Sequence, residues 1–268
     1  MKLPLYQIDA FASAVFRGNP AAVCPLDRWL PDVIMQSIAA ENNLAETAFF
    51  VPRAAGAAPT ADGLEYDLRW FTPETEVDLC GHATLASGFV VFTVLGDTRE
   101  AVIFHSRSGP LTVHRAGELL ALDFPARPPE RCEPPQGLIE ALGMAPLEVW
   151  SSRDLMAVYP TEDVVRALAP SFDRVRALGV FGVIVTAPGR DADFVSRFFA
   201  PSQGIPEDPA TGSSHCTLTP YWSQRLGRKA LHARQLSARG GEMHCEDRGE
   251  RVRIAGRAVK YLEGTIEI

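Results

Sequence analysis

Arg69-Trp70-Phe71-Thr72-Pro73 and, about half a chain length later, Arg197-Phe198-Phe199-Ala200-Pro201 are two versions of one phrase. Each runs through a turn into a small, polar, glycine-containing stretch, DLCGHATLASG from Asp78 and EDPATGSSH from Glu207, and then into a helical pattern. A repeat at half the chain length predicts two like domains, whereas a solenoid would repeat every 20–50 residues or so. With one extra residue in the second copy, Cys80-Gly81-His82 aligns with Pro209-Ala210-Thr211. A duplicated chain of this kind is expected to carry its site in the seam between its halves.

Composition narrows the class. The 268 residues are enough for two cores, and a hydrophobic content of 46% is ordinary for a globular enzyme or binding protein. The net charge of −7 is spread without acidic or basic blocks, which argues against nucleic acid or an anionic membrane as partner. No apolar run reaches about 18 residues, and MKLPLYQIDAF lacks a signal-peptide core, so the cytoplasm is the expected compartment. Five cysteines form an odd set with no CxxC pair, and six histidines show no HExxH-type spacing. Neither a disulfide framework nor a metal is expected.

The order of elements supports the duplication. Leu3 to Phe11 alternates as a strand, Gly18-Asn19-Pro20 reads as a turn, and AAVCPL after it as a second strand. Leu30 to Asn42 has helical spacing, with Pro31 suited to a first turn. Glu46 to Val51 and Tyr66 to Phe71 return to strand, with Ala54 to Gly63 between them as an exposed loop. His82 to Leu95 is apolar nearly all round, which is the pattern of a buried helix. Its counterpart is Ser213 to Leu226, where Pro220 is expected to kink the helix or cap a short first segment. Strand-like runs follow at Ala101 to His105, Leu111 to His114, Leu119 to Phe124, Val180 to Thr186, Phe194 to Phe199, Val252 to Ile254 and Gly264 to Ile268. The proline-rich Pro125 to Pro135 is the natural linker. The fold class is therefore α/β (α+β), two pseudo-symmetric halves, 1–125 and 126–268, each a curled sheet around a central helix. The final strand is free to pack on the first half.

In each half the polar cluster falls where a strand ends and the buried helix begins, so backbone N–H groups of the first helical turn lack intrahelical partners. Such helix starts suit a small carboxylate, and Gly81 and Gly212 permit close approach to the backbone.

The residues also carry a family resemblance. GNPAAV (Gly18 to Val23), NLAETAFF (Asn43 to Phe50), RWFTPETEVDLCGHAT (Arg69 to Thr84) and EDPATGSSHCTLTPYW (Glu207 to Trp222) resemble the phenazine-biosynthesis isomerase family, the PhzF-like proteins. The resemblance spans nearly the whole chain in the right order. It implies a fold shared with diaminopimelate epimerase and proline racemase, a site in the cleft between the halves, no cofactor, and a homodimer. Carried over by residue, it implies that Glu46 is the general acid/base and that Gly81, His82, Asp208, Gly212 and Ser213 contact substrate.

A single carboxylate can lift a proton from an activated carbon and return it on the same face at another, moving a double bond. That needs a carboxylate basic enough to work near neutral pH, a property that Leu44, Ala45, Ala48 and Phe49 would favour if they surround Glu46. Two-cysteine stereoinversion needs a second thiol, but Pro209 lies opposite Cys80 in the repeat alignment. Other readings of the same residues stay open. Glu46 suits a solvated or capping carboxylate, His82 a helix-start residue satisfied by backbone, Asp208 an N-cap or turn former, and Ser213 a cap. Cys80 reads as a buried or wall thiol, and His215 lies one helical turn from the polar cluster. Trp70, Phe71, Phe198 and Phe199 read as core, and His105, His114, His232 and His244 as surface or strand histidines. A non-catalytic metabolite- or protein-binding role and a one-base or water-assisted racemase are the alternatives to an isomerase. Ala54 to Gly63 and Ser151 to Met156 are the expected specificity loops.

Overall fold

The computed structural model describes residues 1–53 and 64–268, so the loop expected at Ala54 to Gly63 lies outside the described residues. The chain divides into two compact units, Met1–Asp123 with Ala255–Ile268, and Phe124–Ile254.

The first unit contains β1 (Lys2–Ala10), β2 (Asn19–Pro25), α1 (Asp32–Asn42), β3 (Glu46–Pro52), β4 (Leu64–Phe71), β5 (Glu76–Val77), α2 (Gly81–Phe89), β6 (Ala101–Ser106), β7 (Gly109–Ala116) and β8 (Leu119–Pro125). Its strands pair in the order β1, β2, β3, β4, β6, β7, β8, with β2–β3 and β4–β6 parallel and the others antiparallel. The chain's last strand, Ala258–Glu267, pairs antiparallel with β1 and completes this sheet. Strand alternation sends the side chains of β3 to two faces. Phe49 and Val51 join Leu3, Cys24 and Phe71 beneath α1, which contributes Met35, Ile38 and Ala39. Glu46, Ala48 and Phe50 point the other way, toward α2. Residues His82 to Gly88 of α2 are all buried, and the helix runs on as a π-helical turn over Val90–Val94. Phe49 therefore belongs to the α1 layer and does not surround Glu46.

The second unit contains β9 (Glu130–Arg131), α3 (Leu138–Leu142), β10 (Glu148–Ser151), β11 (Leu155–Val158), α4 (Glu162–Ala167), α5 (Phe172–Ala177), β12 (Val183–Pro188), β13 (Phe194–Phe199), α6 (Gly212–Leu226), β14 (Ala230–Gln235), β15 (Gly241–Asp247) and β16 (Arg251–Gly256). Its pairing from β10 to β15 runs antiparallel, parallel, antiparallel, parallel, antiparallel. That is the pattern from β1 to β7 in the first unit, and α6 occupies the same place in its order as α2. Ser151 to Met156 proves to be a hairpin: Leu155 and Met156 are buried in β11, and only 152–154 form the turn. β17, as the chain's last strand is numbered, begins six residues before the Gly264 start read from sequence.

The repeated phrase is explained by an arginine clamp. Arg69 in β4 donates through Nε and Nη2 to the two carboxylate oxygens of Glu76 at 2.7 and 2.8 Å, and lies 5.1 Å over the Phe71 ring. Arg197 in β13 does the same with Glu207 at 2.7 and 3.0 Å and Phe199 at 5.0 Å. Arg197 Nη1 also donates to the Leu168 carbonyl at 2.7 Å. Arg197→Ala would strand these acceptors, and about 3 kcal/mol of stability is expected to be lost. Arg197→Lys is expected to recover only part of it, because an ammonium cannot make the fork. Urea denaturation of the three proteins checks this, and equal midpoints would contradict it.

Pro220 neither breaks α6 nor caps a shorter one, contrary to one expectation from sequence: the helix runs unbroken over Gly212–Leu226. A proline lacks the N–H that would bond to the carbonyl four residues back, here Cys216. The Arg127 N–H supplies that bond instead, at 2.9 Å. Among the described residues no helix is long and apolar enough to cross a membrane.

Candidate active site

The first unit gathers Glu46, Cys80 and His82 into one buried cluster. Glu46 opens β3 and is 8% exposed; His82 is the second residue of α2 and is 6% exposed. Parallel pairing sets Glu46 beside Ala21 of β2. His82 Nε2 lies 3.1 Å from Glu46 Oε2, yet neither atom has an aligned hydrogen bond among the described residues. The two attract as charges, and both atoms are shut off from solvent. On the other side of the ring, His82 Nδ1 lies 3.3 Å from Asn19 Nδ2 and 3.5 Å from Cys80 Sγ. The Asn19 carboxamide can meet either state of the imidazole, donating to a neutral Nδ1 or, turned over, accepting from an imidazolium.

Electrostatics assign the protons. Burial alone disfavours a charged His82, but the Cys80 sulfur and the Glu46 carboxylate beside it outweigh that and hold the ring well above its ordinary value. Burial, reinforced by the Glu46 charge, pushes the Cys80 thiol up, so Cys80 stays protonated near neutral pH. With the thiol protonated, the charge that still favours a cationic His82 is that of Glu46. The three ligand atoms lie within 4.8 Å of one another, a spacing compatible with a metal ion.

The second unit builds a separate polar cluster at the start of α6. Asp208, 7% exposed, accepts from the Thr211 hydroxyl through Oδ2. Gln235, at the inward end of β14, locks this turn. Its Nε2 donates to the Asp208 carbonyl at 2.7 Å and to Thr211 Oγ1 at 3.0 Å, and its Oε1 accepts from the Thr211 N–H at 2.8 Å. Gly212 is the first helical residue and Ser213 the second, so Ser213 is not the cap. Its hydroxyl accepts from Arg153 Nη2 at 3.2 Å. Asp154 holds that guanidinium from the turn after β10, and the Phe181 ring lies 4.3 Å beneath it. Gln235 escaped the sequence reading, as did the contact of Asn19 with His82, because no local spacing links them to the motifs; Arg153 and Asp154 fall in the Ser151 to Met156 stretch expected to tune specificity, but were not singled out there.

The helix starts also correct the repeat alignment. Cys80 caps α2 as Thr211 caps α6, so the residue equivalent to Cys80 is Thr211, not Pro209. Two-thiol stereoinversion still has no second thiol. His215 is a core residue: its Nδ1–H donates to the Thr211 carbonyl at 2.8 Å and its ring lies against Phe194. Burial pushes it down to about 4. Trp70, Phe71, Phe198 and Phe199 are all buried core.

Residues 8–264 match the family described as phenazine biosynthesis-like protein. The chain belongs to the PhzF family. An uncharacterized isomerase of Pseudomonas aeruginosa is 52% identical over the full length of both chains. The crystal structure of a PhzF-family protein from Enterococcus faecalis superposes with a TM-score of 0.95 at 46% identity, covering all of both chains. At 11% identity, a hydroxyproline epimerase from Agrobacterium vitis shares the fold, with a TM-score of 0.60 over 99% of this chain and 92% of its own. This PhzF-family protein is thus an isomerase with an epimerase-like α+β fold.

The two buried histidines yield a test. A group whose folded value is raised, as for His82, adds stability below its unfolded value near 6.5, and that stability is lost as pH rises through the folded value. His215, lowered, has the opposite sign and costs stability as pH falls from about 6.5 toward 4. In 15N-resolved histidine NMR titrations, His82 is expected to lose its second proton at higher pH than an ordinary histidine, whereas His215 carries a proton only on Nδ1 near neutral pH. Glu46→Gln is expected to lower the His82 titration. A His82 that titrates at or below the ordinary histidine value would contradict this assignment.

Proposed function

We propose that this chain is a cofactor-independent isomerase that moves a proton, and with it a double bond, on a small cyclic or conjugated carboxylic acid, with Glu46 as general acid/base. The observation that carries the reading is the buried Glu46–His82 pair, whose facing atoms approach to 3.1 Å and set a carboxylate against an imidazole that favours its cationic form. Buried titratable pairs whose protonation is shifted by a specific partner are concentrated at functional sites. Gly81, His82, Asp208, Gly212 and Ser213 are proposed substrate contacts, on the strength of their match to the family's motifs.

The chemistry balances without a redox partner. Glu46 takes a proton from the activated carbon; the electron pair left behind enters the conjugated system and charge builds on its electron-withdrawing end. The imidazolium of His82 offsets that charge. The protonated Glu46 then delivers the same proton to the far carbon, so one base serves both steps on one face. Carried over with the family, the chain is proposed to work as a homodimer in the cytoplasm; light scattering coupled to size exclusion would show twice the chain mass.

The test is proton NMR of the purified protein, with no added cofactor, against a panel of cyclic amino and hydroxy carboxylates and conjugated acids. Migration of a double bond in any of them supports the proposal. Panel members that bind without reacting would favour a metabolite-binding role instead.

A further inference from the structure

On the second unit, outside the motifs described above, β14 and β15 place two histidines opposite each other. His232 pairs with His244 in the antiparallel register. Their rings are stacked, with centroids 5.0 Å apart and planes 18° apart. Glu242, two residues before His244 on the same outward face, lies with its Oε1 2.7 Å from His232 Nε2. The inward residues of the two strands, among them Leu231, Ala233, Met243 and Cys245, are buried. The three polar side chains therefore stand on a firm base of packed sheet. One donor atom from each of the three lies within 4.8 Å of the others.

We propose that His232, Glu242 and His244 form a surface binding site for a divalent transition-metal ion of the Zn2+ type. Directly opposed residues on antiparallel strands have Cβ atoms about 4.5–5.5 Å apart, which lets two imidazoles reach one ion at about 2.0–2.1 Å after the exposed rings splay from their stack. The carboxylate already sits at the His232 nitrogen and supplies the third donor. Two nitrogens and one oxygen suit Zn2+, Ni2+ or Cu2+ and exclude Mg2+ and Ca2+, which prefer oxygen alone. A three-donor set leaves one position for water or a donor from another molecule.

The surroundings are balanced in charge. Asp193 accepts from the His232 backbone N–H at 2.7 Å and pairs with Arg228. Arg234, opposite Glu242 in the register, has Asp191 at 3.9 Å. Glu246 pairs with Arg248 at 2.7 Å. The backbone bond from Asp193 fixes the strand at His232, so only the side chains need move to take an ion. The site is distinct from the Glu46–Cys80–His82 cluster in the first unit.

Isothermal titration of Zn2+ alone into the full chain, purified without a histidine tag in metal-free buffer, tests the proposal. One saturable Zn2+ per chain is expected, and it should persist in Cys80→Ser, which disables the other cluster. His232→Ala and His244→Ala should each weaken it at least about tenfold, and the double variant should abolish it. Because both side chains point outward, unchanged far-UV dichroism and melting of the double variant without metal will show that the fold is intact. Copper electron paramagnetic resonance adds a signature, with two coupled nitrogens expected in the parent and one in His244→Ala. No Zn2+ uptake by the parent, or uptake that survives the double substitution, overturns the proposal.

Discussion

Glu46→Gln is expected to lower kcat by about 10^3 or more while leaving KM within a few-fold, because the amide keeps the shape of the carboxylate but cannot accept the proton. The substitution acts twice. It removes the base, and it removes the negative charge 3.1 Å from His82 Nε2 that favours the imidazolium. Glu46→Asp separates the two effects. It retains a charge near His82 but withdraws the carboxylate by about one methylene, and a displacement of about 1 Å can itself cost about 100-fold. Aspartate is therefore expected to fall between wild type and glutamine in rate, with a His82 titration close to wild type. Steady-state kinetics and histidine NMR on the same samples check both. A glutamine variant as active as wild type would remove Glu46 from the mechanism.

The largest effect on stability is expected at Gly18. It sits at φ +63°, and a Cβ there would fall 2.1 Å from the Ala10 carbonyl oxygen and 2.8 Å from Ala12 Cβ. Backbone lies in the way, so the neighbour cannot yield. The loop it closes is tied on its other side by the buried Asp9, which accepts from the Phe16 N–H at 2.8 Å. Gly18→Val is expected to destabilise the protein by at least about 3 kcal/mol, combining left-handed strain with a clash. Gly96, at φ +73° with nothing within 4 Å of a Cβ, isolates the strain; Gly96→Ala is expected to cost only about 1 kcal/mol. Thermal melts of both decide it, and equal losses would show that crowding at Gly18 is unimportant. Asn19, the next residue, faces His82, so Gly18→Val is also expected to weaken ligand binding.

Much of the fold was legible because its local signals agree with its packing. β4 alternates between buried and half-buried positions, β3 and β13 are short apolar runs buried almost throughout, and α2 has no polar face because it is buried all round. The short strands β10 and β11 were not legible, nor was β14, whose inward row ends in a glutamine and whose outward row carries His232 and Arg234. The clamp partners Glu76 and Glu207 stand at different distances from their arginines along the chain, which hid them. The turn over Pro201–Gln203 lengthens the second copy, and that displaced the repeat alignment from Thr211 to Pro209. The continuity of α6 through Pro220 depends on Arg127, remote in sequence, and no local pattern announces such a bond. In the candidate site, Glu46 and His82 were legible through motif resemblance. Asn19, Gln235 and Arg153 reach their neighbours only through tertiary folding.

The most direct measurement follows the hydrogen itself. A reactive acid from the panel, carrying ordinary hydrogen at the carbon to be deprotonated, is converted in deuterated water and the product is sampled early by NMR. Transfer by one carboxylate predicts that part of the product keeps the original hydrogen at its new carbon, and that the reaction disappears in Glu46→Gln. Conversion at the wild-type rate in Glu46→Gln, with the same isotopic pattern, would contradict the central claim.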